Sequence, residues 1–88
     1  MKAQVNRFPK AFSKISGVVE MNLSKLVRKD PYMRTTIRNM IACQMNRMIA
    51  DSIDFDDEDY LIRFLINKGE PVCCEIGYAD DEWQLKKK

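Results

Sequence analysis

From Asp30 onward the apolar positions recur at helical spacing. At 100° per residue, Met33, Ile37, Met40, Ile41 and Met48 fall on one stripe. Asp30 suits an N-cap, and Pro31 suits the first helical position, where its missing N–H costs nothing. No Gly or Pro follows until Gly69. The pattern predicts one long helix over about 31–53. Its opposite side carries Thr35, Asn39, Ala42, Cys43, Asn46 and Ala50, all small and uncharged. A solvated face normally carries Lys and Glu, so this side is expected to be packed too, by the rest of the chain or by a second copy. A homodimer through the long helix is one expectation.

Beyond that helix the pattern changes. Tyr60 to Ile66 is rich in aromatic and branched residues, Asn67-Lys68-Gly69 suits a type I turn with a bulge, and Val72 to Tyr78 alternates. This predicts a hairpin with Val72, Cys74, Ile76 and Tyr78 on one face. The rival is a short helix with acidic residues at its start and Gly69 just past its end. The hairpin is preferred. Near the N-terminus, Gly17 to Ser24 reads as a strand with Val19, Met21 and Leu23 on one face. Phe8, Phe12, Ile15, Val19, Leu23 and Leu26 also keep helical spacing. A turn at 9–15, a strand at 18–24 and a helical turn at 24–29 reconcile the two. Trp83 and Leu85 add a last edge strand or anchor the tail. The fold class is α+β: one long central helix (about 31–53) on a small antiparallel sheet, with strands near 18–24, 60–66 and 71–78, in a single domain 1–88.

Composition narrows the class. The 88 residues are 45% hydrophobic and 32% charged, which is globular rather than disordered. A chain this short buries only about 60% of its unfolded surface, so stability is modest. The longest apolar run, Tyr60 to Ile66, is far below a membrane span and contains Arg63. The first seven residues lack the apolar core of a secretory signal. Cys43, Cys73 and Cys74 are odd in number, so reduced thiols in a cytoplasmic setting are expected, with Cys43 a small buried hydrophobe.

The charge is divided. Net charge is +2. Residues 1–50 hold ten Lys/Arg against Glu20 and Asp30, whereas residues 51–85 hold eleven Asp/Glu against Arg63 and Lys68. Three terminal lysines follow. Such asymmetry points to a polyanion-binding surface or an acidic interaction patch, unless the halves neutralise each other within the fold.

Catalytic motifs fail. There is no histidine, which removes the usual general base and His-dependent nucleophile pairs. The three cysteines do not make a zinc set, and the three glycines are isolated. Asp54, Asp56 and Glu58 start with calcium-loop spacing, but Asp59 stands where Gly is needed and Leu65 where Glu is needed. No enzyme activity, cofactor or metal is expected. Leu23 to Ile41, with Arg34-Thr35-Thr36-Ile37-Arg38-Asn39, resembles a helix-turn-helix. Pro31 replaces the turn glycine and Asp30 an apolar residue, so the resemblance is partial.

What remains is a binding protein. The leading expectation is a regulatory protein that binds nucleic acid, RNA preferred, through Lys25, Arg28, Lys29, Arg34 and Arg38, with Phe8, Tyr32 or Trp83 available to stack a base. The alternative is a protein-binding inhibitor or adaptor, of a kind common among phage and mobile-element regulators. It would use Asp54, Asp56, Asp57, Glu58 and Asp59 within the acidic 51–59 segment. On this reading the two charged ends stand one helix length apart, about 30 Å for twenty residues.

Overall fold

The computed structural model describes residues 16–86. The element order is β1 (Gly17–Asn22), α1 (Leu23–Lys29), α2 (Tyr32–Gln44), α3 (Arg47–Asp51), β2 (Leu61–Asn67) and β3 (Glu70–Gly77). The strands form one antiparallel sheet in the order β1-β2-β3. This is an α+β arrangement, and the strand reading of 60–66 holds. The expected turn at 9–15 lies outside the described residues.

Register decides the two faces. Val19 pairs with Phe64 and Met21 with Ile62, while Phe64 and Ile62 pair with Cys74 and Ile76 on the other side. These residues face the helices. Against them pack Leu23, Leu26 and Val27 of α1, Met33, Ile37 and Ile41 of α2, Ala50 of α3, and Phe55. Phe64 and Ile62 are fully buried at the centre. Each such side chain contributes roughly 1.5–3 kcal/mol through burial.

The helices cover only this face. On the other, Glu20, Arg63 and Glu75 stand in one cross-strand row. Arg63 Nε donates to Glu20 at 3.0 Å, and Arg63 Nη1 donates to the Leu85 carbonyl at 2.8 Å. The guanidinium lies 4.4 Å from the centre of the Trp83 ring. Glu75 accepts the backbone N–H groups of Gln84 and Leu85. The C-terminal segment is therefore an anchored tail and not a further strand.

The long helix is not continuous. Asp30 and Pro31 start α2 as expected, with the Asp30 carboxylate accepting the Tyr32 N–H at 3.2 Å. The helix then stops at Gln44. Met45 leaves helical space at φ −126°, ψ −89°, and Asn46 is extended. The Asn46 side chain accepts the Ile49 N–H at 2.8 Å and caps the five-residue α3. A short amide next to the backbone competes with helix propagation and favours a new start. The break swings Met48 off the stripe, leaving it 82% exposed, while Met33, Ile37 and Ile41 stay buried. On the small-residue side Ala42 and Ala50 pack on the core, whereas Thr35, Asn39 and Cys43 are exposed. The expectation of a buried Cys43 is thus wrong.

The hairpin turn also differs in detail. Asn67 pairs with Glu70, so the loop is the two residues Lys68 and Gly69, both at positive φ (54° and 84°). Such a short turn follows the strand twist and demands two left-handed residues, which Gly69 meets freely and Lys68 at a cost. A register shift opposite Leu65 and Ile66 makes Val72 the extra residue of a bulge. It leaves the face it was expected to share with Cys74 and is 56% exposed.

Two stability outcomes are expected. Asn46→Ala removes the α3 cap at a cost of about 1 kcal/mol, lowering the thermal midpoint by about 4–8 °C. Lys68→Asn places a residue tolerant of positive φ in the turn and raises stability by roughly 0.5–1 kcal/mol in the same melt.

Candidate functional site

The five candidate basic residues divide into two groups. Lys25, Arg28 and Lys29 are exposed on α1. Asn22 starts that helix, its side-chain oxygen accepting the Lys25 N–H at 3.0 Å. Arg28 and Lys29 occupy the last turn, where positive charge complements the helix dipole. Arg28 also bonds back to Ser24. Arg28 and Lys29 thus have a local structural role besides any partner, whereas Lys25 gives the helix start its backbone N–H.

Arg34 and Arg38 do something else. Their spacing puts them on one side of α2, and both guanidinium groups lie over the Phe55 ring, 5.7 and 5.2 Å from its centre. Arg34 also meets Asp56 at 3.6 Å. The acidic segment has folded back against the start of α2. The expected separation of opposite charges by one helix length is therefore overturned. The cause is twofold: the chain turns at Asn46 and again after Asp51, and Phe55 must be buried.

The acidic loop is built by its own aspartates. Asp54 accepts the Asp56 N–H at 3.0 Å, and Asp57 accepts the Asp59 N–H at 2.9 Å. Two backbone turns, Asp57 to Asp54 and Tyr60 to Asp57, complete it. Asn22 ties it to the end of β1 by donating to the Glu58 carbonyl at 2.7 Å. Asp54 and Asp57 thus spend one oxygen each on the loop itself, and Asp54, Asp56, Glu58 and Asp59 are exposed. The exposed pair Arg34–Asp56 is worth little in water, about 0–1 kcal/mol.

Sequence reasoning missed the residues that join this loop to β3. The Tyr78 hydroxyl donates to Asp57 at 2.7 Å, and the Tyr60 and Tyr78 rings pack 4.7 Å apart. Past Tyr78 the chain turns sharply: the Asp81 carboxylate accepts the Tyr78 N–H at 2.7 Å. That carboxylate sits where a side chain at Gly77 would be, 2.6 Å from the site of its Cβ, so a larger residue there would push Asp81 off the Tyr78 N–H. Asp80, Asp81 and Glu82 thereby follow closely on the tyrosine that Asp57 holds. The available signal was the repeated Asp spacing, which reads as Asx turns as well as a failed calcium loop.

The remaining candidates are not brought into this surface. Trp83 is buried over Arg63, Tyr32 is exposed on α2, and Phe8 lies outside the described residues. Among the described residues no group of three His, Cys, Asp or Glu side chains has metal-holding geometry. No helix among them is long and apolar enough to cross a membrane.

Two groups are held protonated. Burial, with the neighbouring Cys73 second, pushes the Cys74 thiol from 9.0 up to about 12. The hydrogen bond to Asp57 raises the Tyr78 phenol above its ordinary value, with desolvation adding to it. Both folded values lie above the unfolded ones, so above pH 9 the native state binds more protons than the unfolded chain. Stability is then fully present below that point and falls as pH rises. Cys74→Ala is expected to flatten the decline between pH 9 and about 12, read from urea midpoints across that range. In native protein an aromatic disulfide reagent is expected to label exposed Cys43 first and Cys74 last, with mass spectrometry giving the order.

Comparison with known protein families, with curated proteins and with solved structures gives no match, so the functional reading rests on this geometry.

Proposed function

We propose that the protein is a non-enzymatic binding protein, an inhibitor or adaptor, whose acidic face engages a basic site on a partner protein. The observation that carries this reading is the Tyr78–Asp57 hydrogen bond at 2.7 Å. It ties the acidic loop, 51–59, to the tyrosine that precedes the second acidic run, 80–82, whose Asp81 in turn accepts the Tyr78 N–H. Nine Asp/Glu belong to these runs, and Arg34 is the cation paired with them among the described residues. The described residues 16–86 hold nine Lys/Arg against thirteen Asp/Glu, so this part of the chain is net negative. Surface charge of this kind steers a basic partner and sets orientation more than it adds affinity.

A second reading has its own observation. Lys25, Arg28 and Lys29 are all exposed on α1, and a phosphate backbone would be positioned by them. Nucleic acid, RNA preferred, remains the partner on that reading. Two of the five expected contacts, Arg34 and Arg38, are held against Phe55 and the acidic loop, which weakens the field they offer.

The test separates the two. Immobilised full-length protein is incubated with lysate of the cells that encode it, as wild type, as the Asp56→Asn/Glu58→Gln/Asp59→Asn variant, and as the Lys25→Glu/Arg28→Glu/Lys29→Glu variant. The acidic reading expects a stoichiometric protein that is lost with the first variant, retained by the second and released by salt. Recovery of nucleic acid alone, lost with the second variant, overturns it in favour of the basic surface.

A further inference from the structure

The outer edge of β3 is closed at each position but one. Pro71 has no N–H to offer, and Val72 is the extra residue of the bulge, two devices that keep a strand edge from pairing. Cys74 turns its N–H and C=O away from β2, and the Gln44 side chain bonds both, at 2.9 and 2.8 Å. Asp81 takes the Tyr78 N–H and gives its own N–H to the Tyr78 carbonyl. Between these blocks stands Ile76. In an antiparallel ladder, residues two apart point their backbone groups the same way. Ile76 therefore presents N–H and C=O to the same side as Cys74, and no described residue bonds them.

That opening lies in a groove of about 470 Å3. Gln44 and Met45 at the end of α2 form one wall, Gln84 and Leu85 of the anchored tail form the other, and the β3 edge is the floor. Beside it, Ile49 and Ile76 line a second, smaller hollow. Of six large hydrophobic side chains exposed among the described residues, five gather on or beside β3 or at the α2–α3 corner: Met45, Met48, Ile49, Val72 and Tyr78. Along β3 and the turn after it the charge is negative: residues 70–82 carry Glu70, Glu75, Asp80, Asp81 and Glu82 and no Lys or Arg, while Arg47 and Lys86 follow the wall residues Met45 and Leu85.

We propose that this groove receives an extended segment of a partner protein, alternating basic and apolar residues, which adds to β3 as a short strand centred on Ile76. Its backbone meets the Ile76 N–H and C=O, its apolar side chains meet Met45 and Ile49, and its cations face the acidic rim. A second copy of this chain is the poorer occupant, since it would set its own acidic residues 70–82 against these. The choice of a basic segment rests on the acidic-face reading above. The place and the strand geometry do not.

The probe is an array of heptapeptides alternating Lys or Arg with Val, Ile, Leu or Phe, with a matched array carrying Glu in place of the cations. The best binder is then resynthesised with an N-methyl group on the amide opposite Ile76, and both are titrated into 15N-labelled full-length protein. Binding by the basic array is expected, with the Ile76 amide shifted and protected from exchange. N-methylation should weaken binding about fivefold, the size of one net hydrogen bond. Met45→Lys, at an exposed position that the fold tolerates, should also weaken it. Binding that ignores N-methylation and leaves the Ile76 amide unmoved overturns the strand site while the acidic-face reading stands. Equal binding of the Glu array with Ile76 protected overturns the basic choice alone. No binding by either array overturns both the groove and its partner.

Discussion

Arg63 holds the two sides of the sheet together. It sits in the middle of the middle strand, on the face the helices do not cover, and it is largely buried. A guanidinium in that position is costly unless its donors and its plane are occupied. Glu20 takes one donor, the Leu85 carbonyl another, and Trp83 covers the plane. Satisfying this one group recruits β1 from one direction and the C-terminal tail from the other. Glu75, next in the same row, then has its oxygens free to fasten the tail backbone. Without the tail the second face of a three-stranded sheet stands bare, too thin a layer for a chain of this length.

The charge distribution looks different once folded. Along the chain it is a basic half followed by an acidic one. In space the acidic loop returns to the start of α2, where Phe55 serves as a shared platform for Arg34 and Arg38. The two signs therefore partly neutralise each other at one place, and the uncompensated negative surface shifts toward Tyr60, Tyr78 and the turn at 80–82. The surfaces left for partners are the remainder after internal pairing, and they cannot be read from a tally of charges.

Much of the framework was legible. Period-two alternation located β1 and β3, the aromatic and branched content of 60–66 located β2, and Asp30-Pro31 located the start of α2, because each depends on local chemistry. The break at Asn46 was not legible from periodicity: past it Met48 continues the apolar stripe and Ala50 the small-residue side at 100° per residue. Reading Asn46 as a cap and not as a small neutral helix residue was the missing step. The bulge at Val72 was hidden for a related reason, since alternation continues through it in the sequence while the pairing slips by one. Neither the Gln44 contact to Cys74 nor the Tyr78 contact to Asp57 was visible. Each joins residues at least 21 positions apart, and no local rule links them.

The sheet order carries a kinetic consequence. β2 and β3 are joined by two residues, whereas β1 must cross from residue 22 to residue 61 to reach its neighbour. Closing a hairpin takes microseconds, but bringing β1 alongside β2 closes a loop that contains all three helices. Those helices are short and gain most of their stability from the sheet they cover. The costliest closure in this topology is therefore the one that brings β1, the helices and Phe55 onto the β2–β3 hairpin. Until that closure, Phe64 and Ile62 stand uncovered on the hairpin, so the interval before β1 docks is when the chain is most prone to self-association.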